Sequence, residues 1–128
     1  MLNDTIYLNG QIIGVKNDCS NTPIPADTNG WETLSVSDHT ISWLLGTATS
    51  IVAAAIAAKL GKIGVSAVKI AIGQAMLEAL ANYASGGQLH IDSQWYHVTP
   101  NMPQYRMVWT FTSTANHVCG PYISHYSA

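Results

Sequence analysis

Charge is the scarcest property of this chain. Lys, Arg, Asp and Glu together make up 9% of its 128 residues, against roughly 25% in an ordinary soluble domain. Five basic side chains and a net charge of −2 are a poor match for a run of phosphates, so no nucleic acid partner is expected. Apolar residues, at 48%, are not in excess. The polar balance therefore falls on Ser, Thr, Asn, Gln and Gly, a surface that suits secreted or envelope-associated proteins better than the cytosol, where net charge keeps proteins apart. Cysteine is scarce too: Cys19 and Cys119 are the only two, and they form no CxxC. Their simplest role is a disulfide that ties the two terminal regions together, the alternative being two free buried thiols. A bridge closing a loop of about 100 residues is worth roughly 4.7 kcal/mol in the chain-entropy model, and it implies an oxidising compartment. The first twenty residues have no basic start followed by an apolar run and a small-residue cleavage site, so secretion requires that Met1 open a mature sequence whose signal peptide has been removed.

One domain with one core is expected at this length. Residues 1–36 read as N-terminal strands and a loop. Within them "TIYLNGQIIGV" sets two apolar runs around Asn9-Gly10, the dipeptide that best tolerates a two-residue hairpin turn. The stretch "KNDCSNTPIPADTNG" is dense in turn formers, and "WETLSV" has the composition of a strand. Residues 39–85 read as a helical hairpin: a first helix from about His39, capped by Ser37-Asp38, to Leu60, with Gly61 ending it, and a second from about Val65 to Ser85, stopped by Gly86-Gly87. Small residues recur every four positions at Gly46, Ser50, Ala54 and Ala58 and at Ala67, Ala71, Ala75 and Ala79, a spacing that lets two helix backbones approach closely. Gln74, Glu78 and Asn82 form the one polar stripe of the second helix. In residues 88–128 the period changes to two, with Tyr105, Met107, Trp109 and Phe111 on one face and a proline-bearing turn before them. The expected fold class is α+β, with an antiparallel sheet built from the N- and C-terminal strands and packed on a central antiparallel helical hairpin.

No stretch identifies a reaction. There is no phosphate loop, no GxGxxG and no GxSxG elbow. Five histidines are scattered, with His90 and Asp92 on one strand face, His117 and Cys119 on another and His39 beside Asp38, and none has zinc-ligand spacing. Neither an enzyme, a metal nor a cofactor is expected. Trp31, Trp43, Trp95, Trp109 and six tyrosines offer rings with an apolar body and a polar handle, suited to a core, a sugar platform or an interfacial belt. Trp95 and Tyr96 are adjacent and so point to opposite faces of a strand, which makes them the candidate surface for a non-catalytic protein- or cell-surface-binding module, such as an immunity or inhibitor protein.

The run from Gly46 to Ala81 holds Lys59, Lys62 and Lys69, three of the four lysines, with a single acid. A cationic tip is drawn to anionic lipid by about 1 kcal/mol per residue. The segment "SIVAAAIAAKLGKIGVSAVKIAIGQAMLEAL" resembles the membrane-active segments of bacteriocins from Gram-positive bacteria and is similar in plan to the hydrophobic helical hairpin of pore-forming colicins. The resemblance covers about a third of the chain. It implies a secreted antibacterial protein that disturbs membranes without enzymatic chemistry, with a bacterial membrane or envelope component as partner and homo-oligomers on the membrane as an open question. The residues that would meet lipid are Trp43, Ile51, Val52, Ile56, Lys59, Lys62, Lys69, Ile70 and Ile72. The β segments and the disulfide would then hold the hairpin soluble until contact with a target.

Overall fold

A computed structural model describes residues 6–8, 11–14, 18–19, 29–97 and 104–126. In chain order the elements are β1 (Ile6–Leu8), β2 (Gln11–Gly14), β3 (Trp31–Ser42), α1 (Thr49–Leu60), α2 (Val65–Ile72), α3 (Gln74–Tyr83), β4 (Gly86–Tyr96), β5 (Gln104–Ser113) and β6 (Val118–Tyr126). The last three strands and β3 form one antiparallel sheet in the order β3-β4-β5-β6, while β1 and β2 pair separately as an antiparallel ribbon. The Asn9-Gly10 turn and the proline-bearing turn of residues 98–103 lie outside the described residues.

The expected architecture is overturned at its centre. Among the described residues no helical hairpin lies at the heart of the fold; a four-stranded sheet does, with three short helices against one of its faces. The first helix does not begin at His39, because residues 39–42 complete a twelve-residue strand whose inward and outward positions alternate, His39 and Ile41 turning inward and Asp38, Thr40 and Ser42 outward. Asp38 is therefore no helix cap: its carboxylate faces His90 across the sheet at 2.8 Å. The chain leaves β3 through a turn in which Gly46, at φ 82°, donates its N–H to Ala81 O at 2.7 Å. Only then does α1 begin, and Gly61 closes it in the left-handed conformation, its N–H donating to Ala57 O.

The second helix is not one helix either. Gly73 takes φ 88° and ψ 150°, which ends α2 and starts α3. The axes of α1 and α2 bend by 114°, so the antiparallel crossing that the four-residue spacing suggests does not form. The small-residue stripe explains why it misled. Ser50, Ala54 and Ala58 face solvent, and so do Ala67 and Ala75, whereas Val52, Ala53, Ile56, Ala57 and Leu60 carry the contact. Gln74, Glu78 and Asn82 are exposed on α3.

Residues that pair in register across an antiparallel sheet share a face. The helix-side face is set by the rows His39, Leu89, Phe111, Cys119 and Ser37, Ile91, Trp109, Tyr122; of these, Leu89, Phe111, Cys119, Ile91, Trp109 and Tyr122 join Val52, Ile56, Val68, Ile72, Leu77 and Leu80 in one core, while His39 and Ser37 are only half-buried. Fully burying such a side chain contributes roughly 1.5–3 kcal/mol. Leu34 is the extra residue of a bulge, where the pairing of β3 with β4 shifts between Thr33 and Ser35.

The disulfide between Cys19 and Cys119 is present, with Cα atoms 5.2 Å apart and a sequence separation of 100. It fixes the N-terminal region against β6. Asp18 reinforces the join, donating its N–H to Val118 O at 2.7 Å and accepting Val118 N–H on its carboxylate at 3.0 Å. A disulfide is compatible with an extracellular protein.

Candidate binding surface

The residues expected to meet lipid do not form one surface. Val52, Ile56 and Ile72 are fully buried in the core. Trp43 is half-buried, its indole N–H shared between Leu80 O at 3.1 Å and Ala84 O at 2.9 Å, and its ring stacks on Phe111 with centroids 6.0 Å apart. Ile51 and Ile70 are exposed, as are Lys59, Lys62 and Lys69, but Ile51 and Lys59 sit on α1, Lys62 on the loop after it and Lys69 and Ile70 on α2, whose axis is bent by 114° from that of α1. No described helix is long and apolar enough to cross a membrane; α1 and α2 reach the required length and composition only as a bent pair.

The other candidate, Trp95 and Tyr96, is drawn into a larger arrangement. On the helix-side face Trp95, Tyr105 and Tyr126 pair in register across β4, β5 and β6. Tyr105 and Tyr126 stack with centroids 5.7 Å apart and planes 24° from parallel, and the Lys62 ammonium lies 5.7 Å from the Tyr126 ring centre. Burial, and secondarily the neighbouring Tyr105, pushes the Tyr126 phenol above its usual range, so it is a neutral donor at physiological pH. All three rings are half-buried, which means that each shows part of its surface to solvent while packing fixes the rest.

On the opposite face at the same end, Tyr96 pairs with Trp31, their ring centres 5.2 Å apart. Trp31 is held from the sheet side by the buried Arg106, whose guanidinium lies 4.1 Å from the ring centre. Arg106 in turn donates to Gln94 Oε1 at 2.6 Å, Gln94 donates to Asp92 at 3.3 Å, and the other Asp92 oxygen accepts from Thr33 at 3.0 Å. This chain of polar groups, from half-buried Thr33 through the buried Asp92, Gln94 and Arg106, fixes the rotamer of the tryptophan at its end. The sheet end is thus clad in aromatic rings on both faces, and the prediction that Trp95 and Tyr96 point opposite ways describes their placement.

Burial raises the Asp92 carboxyl above its usual value against the pull of its hydrogen bonds to Thr33 and Gln94 and of the charges on His90 and Arg106. A folded-state pKa above the unfolded value means that the native state holds the proton longer. The contribution of Asp92 to stability is then complete below the unfolded value near 3.8 and is lost as pH rises through the raised native value. Urea unfolding of Asp92→Asn and the parent across this interval checks the sign: the difference in stability between them shifts in favour of Asp92→Asn as pH rises.

Asp38, His90 and Thr110 also share a row across β3, β4 and β5. They are the residue types of a nucleophile relay. Thr110 is buried at 1% exposure, which closes the row to a substrate in this structure, and neither its Oγ1 nor His90 Nε2 has a hydrogen-bond partner among the described residues. No group of three or more His, Cys, Asp or Glu lies together among the described residues.

Trp31, Tyr105, Tyr126 and Arg106 were not singled out from the sequence as site residues. Alternation shows which of them share a strand face, but their meeting depends on the register of β4 with β5 and β6. Comparison with protein-family models, curated proteins and solved structures finds no match.

Proposed function

We propose that this chain is a non-catalytic, secreted binding module that engages a component of the bacterial envelope through the aromatic end of its sheet. The observation that carries this reading is the row Trp95, Tyr105 and Tyr126, in register on three strands and half-exposed. Partly exposed aromatic rings held by packing supply contact area at little cost in conformational freedom. A chain with 9% charged residues is suited to a neutral ligand, such as the sugar rings of an envelope polymer, more than to an ionic one. The disulfide supports an oxidising site of action.

A membrane-active role for the helices is the competing reading. Its support is the composition of the bent pair formed by α1 and α2 together with three exposed lysines. It requires Val52, Ile56 and Ile72 to leave the core, each at roughly 1.5–3 kcal/mol, before any contact with lipid compensates.

Co-sedimentation with purified bacterial cell walls tests the first reading. The parent protein is expected to bind, and Trp95→Ala and Tyr126→Ala are each expected to weaken binding at least about tenfold, or about 1.4 kcal/mol, with far-UV circular dichroism unchanged. Variants that bind like the parent, or a parent that stays in the supernatant, would remove the aromatic end as the site.

A further inference from the structure

At the other end of the sheet lies an open groove of about 270 Å³. Thr40, Ser42, Ser85, Thr112 and Thr114, with hydroxyls, and Gln88, with its amide, line it; the greater part of the lining surface is apolar, and no acidic or basic side chain among the described residues lines it. Thr112 is half-buried and the other five are exposed at the mouth, so the groove is open to a ligand from solvent.

The groove is built, not incidental. Gly86 and Gly87 let β3, β4 and β5 close up beneath it. A Cβ on Gly87 would collide with Thr112 O and stand 2.6 Å from the Phe111 ring, and Gly86 is held at φ 137° against Ile41 O. The walls are fixed by their own bonds. Gln88 donates to Thr40 Oγ1 at 2.8 Å, Ser85 N–H donates to Thr114 Oγ1 at 3.0 Å, and Thr114 N–H donates to Gly86 O at 2.9 Å. Having spent one N–H on Thr40, Gln88 keeps its oxygen and second N–H without a partner among the described residues.

The lining selects the chemistry of the ligand. An ion would lose hydration with no opposite charge to replace it, a purely apolar molecule would strip water from the hydroxyls without returning a hydrogen bond, and the apolar surface between those hydroxyls calls for a ligand that also has C–H faces. A neutral polyhydroxyl ring presents donors and acceptors that rotating hydroxyls and one amide can match in either sense. The volume lies just below the roughly 300–1,000 Å³ of small-molecule sites, which fits one ring and not a chain of them. We propose that this groove binds a single neutral pyranose unit, as a site separate from the aromatic end and independent of it.

An amide-resolved NMR titration of the oxidised protein with D-glucose, D-galactose, D-mannose and N-acetyl-D-glucosamine tests the assignment. At least one sugar is expected to shift the amides of Thr40, Gln88, Thr112 and Thr114 with a dissociation constant in the millimolar range. Thr112→Val and Gln88→Ala, with unchanged melting temperature, are each expected to weaken that response at least about fivefold, whereas Trp95→Ala leaves it intact. No shift with any of the four sugars overturns the proposal. So do shifts confined to Trp95 and Tyr105, or shifts that persist in both groove variants.

Discussion

Replacing Cys19 and Cys119 together by serine lowers the free energy of unfolding by about 2–5 kcal/mol, read as a fall in the midpoint of a urea transition. The size follows from the span of the bridge: the two cysteines are 100 positions apart in sequence, so the reduced unfolded chain gains the freedom of a very large loop. Serine at position 119 adds a second cost, because Cys119 is fully buried among Phe111, Leu89 and the helices and a hydroxyl there lacks the solvation it has in water. Reduction of the parent protein with no substitution separates the two terms, since it leaves a thiol in place of the hydroxyl. An unchanged midpoint in the double variant would mean that the Asp18 bracket and neighbouring contacts hold the N-terminal region unaided. The argument from stability to an oxidising compartment would then fall.

Ile56→Ala and Ile51→Ala divide one helix into its two roles. Both residues lie on α1, five positions apart, and both were read from sequence as lipid contacts. Ile56 is fully buried against the sheet and Ile51 is 57% exposed. Truncating a buried isoleucine removes its transfer free energy and leaves a cavity, so Ile56→Ala is expected to cost about 2–5 kcal/mol. Ile51→Ala is expected to stay within about 0.5 kcal/mol of the parent, as surface changes generally do, helped by the better helix propensity of alanine. Thermal or urea unfolding of the two variants side by side checks the contrast. Equal, small effects at both positions would mean that α1 is only loosely docked, which is the property a membrane-seeking segment needs.

The strands that alternate cleanly were legible, and the reason is geometric. In β5 the side chains of Tyr105, Met107, Trp109 and Phe111 fall on one face by period two alone, and "QLHIDSQWYHV" announces β4 in the same way. Residues 39–42 were misread because His39, Thr40, Ile41 and Ser42 flow without a break into the uncharged run that follows, and composition alone does not say where a strand ends and a helix begins. Gly73 was passed over for a related cause. A single glycine inside an apolar helical pattern is tolerated as often as it breaks a helix, and here the backbone at φ 88°, ψ 150° breaks it. The alanine stripe was a true regularity with a false implication: four-residue spacing of small side chains permits close packing, but Ala54 and Ala58 turn to solvent while the larger Val52, Ile56 and Leu60 take the contact.

The candidate site was legible in part for the same reason. Trp95 and Tyr96 announce themselves as an adjacent pair of rings that must straddle a strand. Their partners do not, because Tyr105, Tyr126 and Trp31 reach them through the pairing of four strands drawn from both halves of the chain. The hydroxyl-lined groove left no trace in the sequence beyond the Gly86-Gly87 pair, which reads as a helix stop until the strands on either side of it are known.

The central claim is that the long apolar stretch serves as the core of a sheet protein and that binding takes place on the sheet. Amide hydrogen exchange of the oxidised protein, followed by mass spectrometry with and without anionic lipid vesicles, tests it most directly. The account predicts that the amides of Thr49–Leu60 and Gln74–Tyr83 stay as protected as those of β4 and β5 in both conditions. Loss of protection confined to these helices when vesicles are added would contradict it and would return the apolar stretch to the membrane.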